Sequence, residues 1–212
     1  MKKLNTLFLI LTLSTGCSQE IVSSKYAESI NSNDLEDLLS VYSSDGFEGR
    51  QTGTKGDRTA ANFLRDFYIS NKIGPALNTI DYFQPYQLNL PGKMYTFNYS
   101  FPSTLRGYDR YAQGDNFVDT QNVASVIEGE IYPESYLIIT GHLDHVGING
   151  DEVYNGADDN GSGTVSILEI AQAFQEAVED GVRPKRSVVF LHVSGEEEGL
   201  LGSEYYVNNS LY

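Results

Sequence analysis

Apolar and polar positions along the 212-residue chain follow two different periods. Residues 136–140 (YLIIT) and 187–194 (SVVFLHVS) are near-continuous apolar runs, the pattern of strands buried in a parallel sheet. Between them Ile167, Ile170, Ala171, Phe174 and Val178 recur at helical spacing across 162–180, and Gly181 supplies a stop. Strand, loop, helix and strand in that order predict a βαβ unit. Upstream, Leu35, Leu38, Leu39 and Tyr42 predict a helix over 33–42 with Asn33 as N-cap. Ala60, Phe63, Leu64 and Phe67 predict a second over 57–71, with Gly74 past its end. A glycine-rich loop, 46–56, joins the two, and both helices read as covers for the sheet. Residues 78–120 are rich in Tyr, Phe and Asn. Strand-like runs at 82–90 and 94–101 about Pro91-Gly92 suggest an edge hairpin followed by a loop. The pattern predicts an α/β fold, a mostly parallel mixed sheet flanked by helices, in one domain.

The N-terminus adds a second kind of segment. Met1-Lys2-Lys3 is basic, 4–13 is apolar, and Ser14-Thr15-Gly16 are small residues before Cys17. Such a stretch reads as a secretory signal, too short to span a membrane as a stable helix. The cysteine after small residues resembles a bacterial lipobox, with Ser14 where leucine is usual. Residues 1–16 are then a lipoprotein-type signal peptide, Cys17 is the lipidation site and membrane anchor, and 17–32 is a polar tether ahead of the domain over 33–212. Ser18 after the cysteine resembles an outer-membrane sorting pattern. The expected location is the cell envelope, lipid-anchored on the outer membrane facing the periplasm, or secreted. A single cysteine excludes an internal disulfide. The net charge of -15, from 29 acidic and 14 basic residues, argues against nucleic-acid binding and suits a cation-loaded site.

Candidate chemistry lies just beyond the predicted strand ends. GHLDHVG (141–147) follows the first apolar run, NGADDNGSG (155–163) opens the helix, and SGEEEGLLGS (194–203) follows the second run. Ligands of open α/β sheets bind outside the carboxyl ends of the strands, so His142, Asp159 and Glu196 to Glu198 should share one rim. Carboxylates that converge repel unless a cation sits among them. One imidazole with several carboxylates is a donor set suited to zinc. Asp159 precedes the helix start, where the positive dipole end favours an anion. His192, inside an apolar strand, reads as a core histidine. Ser203 has no His and Asp pattern around it and reads as part of a helix turn.

Together the three stretches resemble the dizinc aminopeptidase family (metallopeptidase clan MH, the leucyl-aminopeptidase-like zinc exopeptidases), which carries HxD, GADDN(G/A)SG and EExGLxGS in this order. Residues 43–67 (SSDGFEGRQTGTKGDRTAANFLRDF) are similar to that family's N-terminal signature, and QNVASVIEG (121–129) to one of its strands. The resemblance implies that His142, Asp159 and Glu197 are metal ligands, with Asp159 bridging two zinc ions. Asp158 is the other residue that could bridge; the family register favours Asp159. It further implies that Asp144 orients His142, that Glu196 is the general base, and that the Asp159–Asn160 peptide is cis. His145 could be a ligand too, but the family position is usually a packing or pocket residue.

The function so implied is hydrolysis of N-terminal peptide bonds, a metal-acidified water serving as nucleophile and peptides as substrates. A glutaminyl-cyclase-like enzyme, a carboxypeptidase of the same fold, and a module without activity remain open. The family also draws a downstream Asp and a downstream His to the metals. No His or Asp occurs between Gly199 and Tyr212. The expectation is therefore the N-terminal part of a zinc peptidase domain, truncated at its C-terminus and lacking the last ligands.

Overall fold

The computed structural model describes residues 25–89 and 117–212. The signal segment, Cys17 and the second half of the expected hairpin lie outside them. Helix α1 (Ser32–Tyr42) is followed by a 3-10 turn, Asp45–Arg50, and helix α2 (Lys55–Ser70). Strands β1 (Gly74–Pro75), β2 (Phe83–Asn89), β3 (Phe117–Ile127) and β4 (Tyr132–His142) come next. A small hairpin, β5 (Gly147–Asn149) and β6 (Glu152–Tyr154), precedes helix α3 (Ser162–Glu179). Strand β7 (Arg186–Val193) and helix α4 (Leu201–Asn208) complete the set.

The main sheet runs β1-β3-β7-β4, with β2 also paired to β3. β4 and β7 are parallel, joined through α3 as the βαβ reading expects; β3 is antiparallel to both β7 and β2. The fold is thus mixed α/β, with helices on the sheet. Alternation along β7 sends Val188 and Phe190 to the face covered by α1, α2 and α3, where Leu64, Tyr68, Leu168 and Ala171 are buried. Leu191 and Val193 point to the other face, against Tyr206 and Leu211. Each fully buried large side chain there contributes roughly 1.5–3 kcal/mol. Pro85 fits in β2 because, among the described residues, β2 pairs with β3 alone and lies at the edge of the sheet.

Several expectations shift. α1 begins earlier than predicted because Asn31, not Asn33, is the cap: its side chain accepts from the amides of Asn33 and Asp34, at 3.0 and 3.1 Å. The tether is not wholly free of the domain, since Lys25 pairs with Asp180 at the end of α3. Within the strand-like run at 82–90, Phe83–Asn89 form β2, which pairs with β3. The 136–140 run is not buried as a central strand would be. β4 pairs only with β7 among the described residues, leaving Leu137 54 % and Ile138 41 % exposed. An apolar run specifies a strand; burial depends on which neighbour lies beside it. The peptide between Asp159 and Asn160 is cis, as the resemblance implies.

Candidate metal centre

Three loops meet at the carboxyl ends of β4 and β7. His142 is the last residue of β4, Asp159 lies in the segment leading into α3, and Glu196 and Glu197 follow β7. Local chemistry shapes each loop. At Gly156 φ is +54°, and a Cβ there would lie 2.5 Å from the His145 ring, so only glycine fits. Asn160 turns its side-chain oxygen back to the Gly163 amide at 3.1 Å; a Cβ on Gly163 would fall 2.1 Å from that oxygen. Thr164, in the first turn of α3, donates to the His142 carbonyl at 2.8 Å and so ties the helix to the strand end.

These loops bring the expected residues together. His142 Nε2 lies 3.0 Å from Asp159 Oδ1. Ligand atoms of His142, Glu196 and Glu197 all fall within 4.8 Å of one another, and so do those of His145, Asp159 and Glu197. The His142 ring is oriented through Nδ1, which is 3.1 Å from the main-chain oxygen of Asp144 and 3.7 Å from its carboxylate. That carboxylate is fully buried and turned toward the other loop. Its Oδ1 accepts from the Glu196 amide at 3.1 Å, and its Oδ2 from the Glu197 amide at 3.3 Å and the Thr52 hydroxyl at 2.9 Å. Asp144 therefore joins the His142 strand end to the glutamate loop. Burial pushes its carboxyl up, opposed first by the Glu196 amide and then by the Thr52 hydroxyl.

Asp158 and Glu198 belong to neither three-residue cluster. His192 is buried and bonded to the Tyr68 hydroxyl at 2.7 Å; burial drives its pKa down to about 3, so it is a neutral core histidine. Ser203 donates to the Leu200 carbonyl in the first turn of α4.

His145 carries more than its motif position suggests. Its Nδ1 is 2.6 Å from Glu197 Oε1, across 52 residues of sequence. The signature at 43–67 is likewise part of the site's support. Thr52 reaches Asp144. Asp57, 1 % exposed, takes hydrogen bonds from the Gly53 amide (2.9 Å), Thr120 (2.7 Å) and Ser194 (2.9 Å). Asn122 accepts from the Ser194 amide at 3.1 Å and donates to the Gly202 carbonyl at 3.0 Å, bracketing the glutamate loop. Polar residues at apolar-periodic or glycine-rich positions are the signal that could have marked them. A groove of about 350 Å³ lined by Ile30, Ile170, Phe174 and Val182 sits toward the far end of α3 from Asp159.

The sequence profile described as Peptidase family M28 matches residues 122–211, the stretch that carries all three loops. Among curated proteins, the probable glutamate carboxypeptidase LAMP1 of Arabidopsis thaliana is 36 % identical over 90 residues, 42 % of this chain and 12 % of that protein. Leupeptin-inactivating enzyme 1 of Streptomyces exfoliatus is 42 % identical over 77 residues, 36 % of this chain and 16 % of that protein. The chain thus matches only a small part of these relatives' length. Among solved structures, the zinc aminopeptidase BSAP from Bacillus subtilis shares the fold with a TM-score of 0.54 at 16 % identity, covering 83 % of this chain and 64 % of that one.

Proposed function

We propose that this chain, whose residues 122–211 belong to peptidase family M28, serves metal-dependent hydrolysis of peptides and removes residues from free N-termini. The observation that carries the reading is a pair of overlapping clusters at two strand ends, His142 with Glu196 and Glu197 and His145 with Asp159 and Glu197, which share Glu197 and are joined by the 3.0 Å contact of His142 with Asp159. Imidazole with carboxylates is the donor set zinc takes. No lysine or arginine pairs with Asp159, Glu196 or Glu197 among the described residues, so a cation is what their charges call for.

His142, Asp159 and Glu197 would hold zinc, with Asp159 able to face two ions. When bound, zinc acidifies a water and polarises the scissile carbonyl. The chain's own residues do the rest. Asp144 fixes the two glutamate amides, and hence where their carboxylates stand relative to His142. Glu196, on the same rim, would serve as the general base, accepting the proton of the attacking water and returning one to the leaving amine. Asp159, three residues ahead of the first residue of α3, keeps its side chain 67 % exposed at the rim.

The test is incubation of the metal-loaded protein with one peptide in free, N-blocked and N-terminal glutamine forms. Release of the first residue from the free form alone supports the reading. Cleavage from the carboxyl end of the blocked form points to a carboxypeptidase. Cyclisation of the glutamine form without peptide cleavage points to a cyclase, and either of these outcomes overturns the aminopeptidase assignment.

A further inference from the structure

Arg50 heads the large side chains with no exposed surface among the described residues. Its guanidinium pairs with no carboxylate among the described residues. Instead it donates to four main-chain carbonyls on three segments: Nε to Leu143 (3.0 Å), Nη1 to Tyr42 (3.1 Å) and Asn155 (2.8 Å), and Nη2 to Gly156 (2.9 Å). The Arg50 carbonyl in turn accepts from the His145 amide at 3.2 Å. The cation also lies over the Tyr42 ring, 4.6 Å from its centroid, and the Tyr42 hydroxyl donates to the same Leu143 oxygen. Burying a charge without a counter-ion is costly. Arg50 also adopts φ +51°, in the left-handed region that a non-glycine residue occupies only at an energetic cost. A group held on such terms has a structural or functional reason.

The bonded carbonyls supply that reason. Leu143 lies between His142 and Asp144, and Asn155-Gly156 begin the loop that ends at Asp159. We infer that Arg50 is a positioning residue: it sets the spacing between the His142 loop and the Asp159 loop, and so tunes metal affinity through backbone it bonds rather than by touching the ion. The inference rests on His142 and Asp159 being ligands. Planarity matters here. Leu143 and Gly156 are reached by different nitrogens of one rigid fork, a span that a single ammonium cannot cover.

The experiment compares Arg50→Lys and Arg50→Gln with the unchanged chain. Far-UV circular dichroism and thermal unfolding of the metal-free proteins report folding. Zinc affinity is read well below the unfolding temperature by competition with a chromophoric chelator. His142→Ala and Asp159→Asn serve as controls for the site itself. The expected result is a folded Arg50→Lys protein whose zinc affinity falls about 10–100-fold, the usual loss for groups that support ligands without binding metal. Wild-type affinity in either folded variant, with both controls impaired, overturns the positioning role and leaves the metal reading standing. Unimpaired controls overturn the metal reading, and the inference with it. If neither variant folds, Arg50 serves folding as a whole and the inference fails.

Discussion

Asp57 offers a sharp test of how the site's support is built. Burial raises its pKa from the ordinary 3.8 to about 7, against hydrogen bonds from Thr120, Gly53 and Ser194 that favour the ion. A carboxyl with a raised folded pKa binds more protons folded than unfolded between those two values, so stability falls as pH rises through the window and is level above it. Asp57→Asn removes that dependence. The substitution also suits the local geometry. An amide oxygen at the Oδ2 position keeps the Gly53 and Thr120 bonds, and an NH2 at the Oδ1 position can donate to Ser194 once that hydroxyl turns. From pH 5 to pH 8 the wild type should lose roughly 3 kcal/mol relative to the variant, two pH units at 1.36 kcal/mol each. Urea unfolding of both proteins at each pH, with chelator present so that metal binding contributes nothing, gives the double difference. A constant gap between the two proteins at pH 5 and pH 8 would refute the reasoning: Asp57 would then be an ion held by its three donors, and burial would not be the dominant effect.

Two further outcomes are expected at the rim. Glu196→Gln should retain zinc while peptide hydrolysis falls about 100-fold or more, the scale of a lost general base; Glu197→Gln should lose zinc, and the reverse pattern would exchange their roles. His145→Ala frees Glu197 from its 2.6 Å partner and should weaken zinc binding about tenfold while leaving the number of ions bound unchanged. A fall in the number of ions, measured by elemental analysis, would make His145 a ligand.

Sequence alone reveals the βαβ unit and the three loops, because their signals are local. An apolar run gives a strand, and a glycine-rich or acidic stretch at its end gives a loop with ligand chemistry. What stays hidden depends on neighbours distant in sequence. Leu137 and Ile138 read as buried, yet their exposure follows from β4 lying at the edge among the described residues. Arg50 has no local signal in the glycine-rich loop at 46–56; its burial needs carbonyls from residues 143 and 155–156 to converge on it. His145 reads as a pocket residue because Glu197 is not its neighbour until the sheet forms. The capping residue of α1 differs by two positions because Ser32, Asn33 and Asn31 are each plausible by type, and only the turn geometry selects Asn31.

The residues of 50–57 change what the N-terminal third is for. Its two helices read as covers for the sheet, and they are that: Tyr42, Leu64 and Tyr68 are fully buried against it. Yet the link between them reaches under all three loops of the metal centre. Arg50 holds the carbonyls of the first two, Thr52 holds Asp144, and Asp57 holds Ser194 at the root of the third. The need for such a base is electrostatic. Asp159, Glu196 and Glu197 lie close enough to repel when no cation separates them. Loops free to move would relieve that repulsion by spreading, and an incoming ion would then have to gather them at an entropic cost. Anchoring the three loops, the first two through Arg50 and main-chain carbonyls and the third through buried side-chain bonds, meets that cost when the chain folds. It also leaves the carboxylates unneutralised, since Arg50 spends its donors on carbonyls rather than on them. On the proposed reading the metal centre is therefore preorganised from beneath by buried hydrogen bonds, and the charge of its rim carboxylates is kept for the cation.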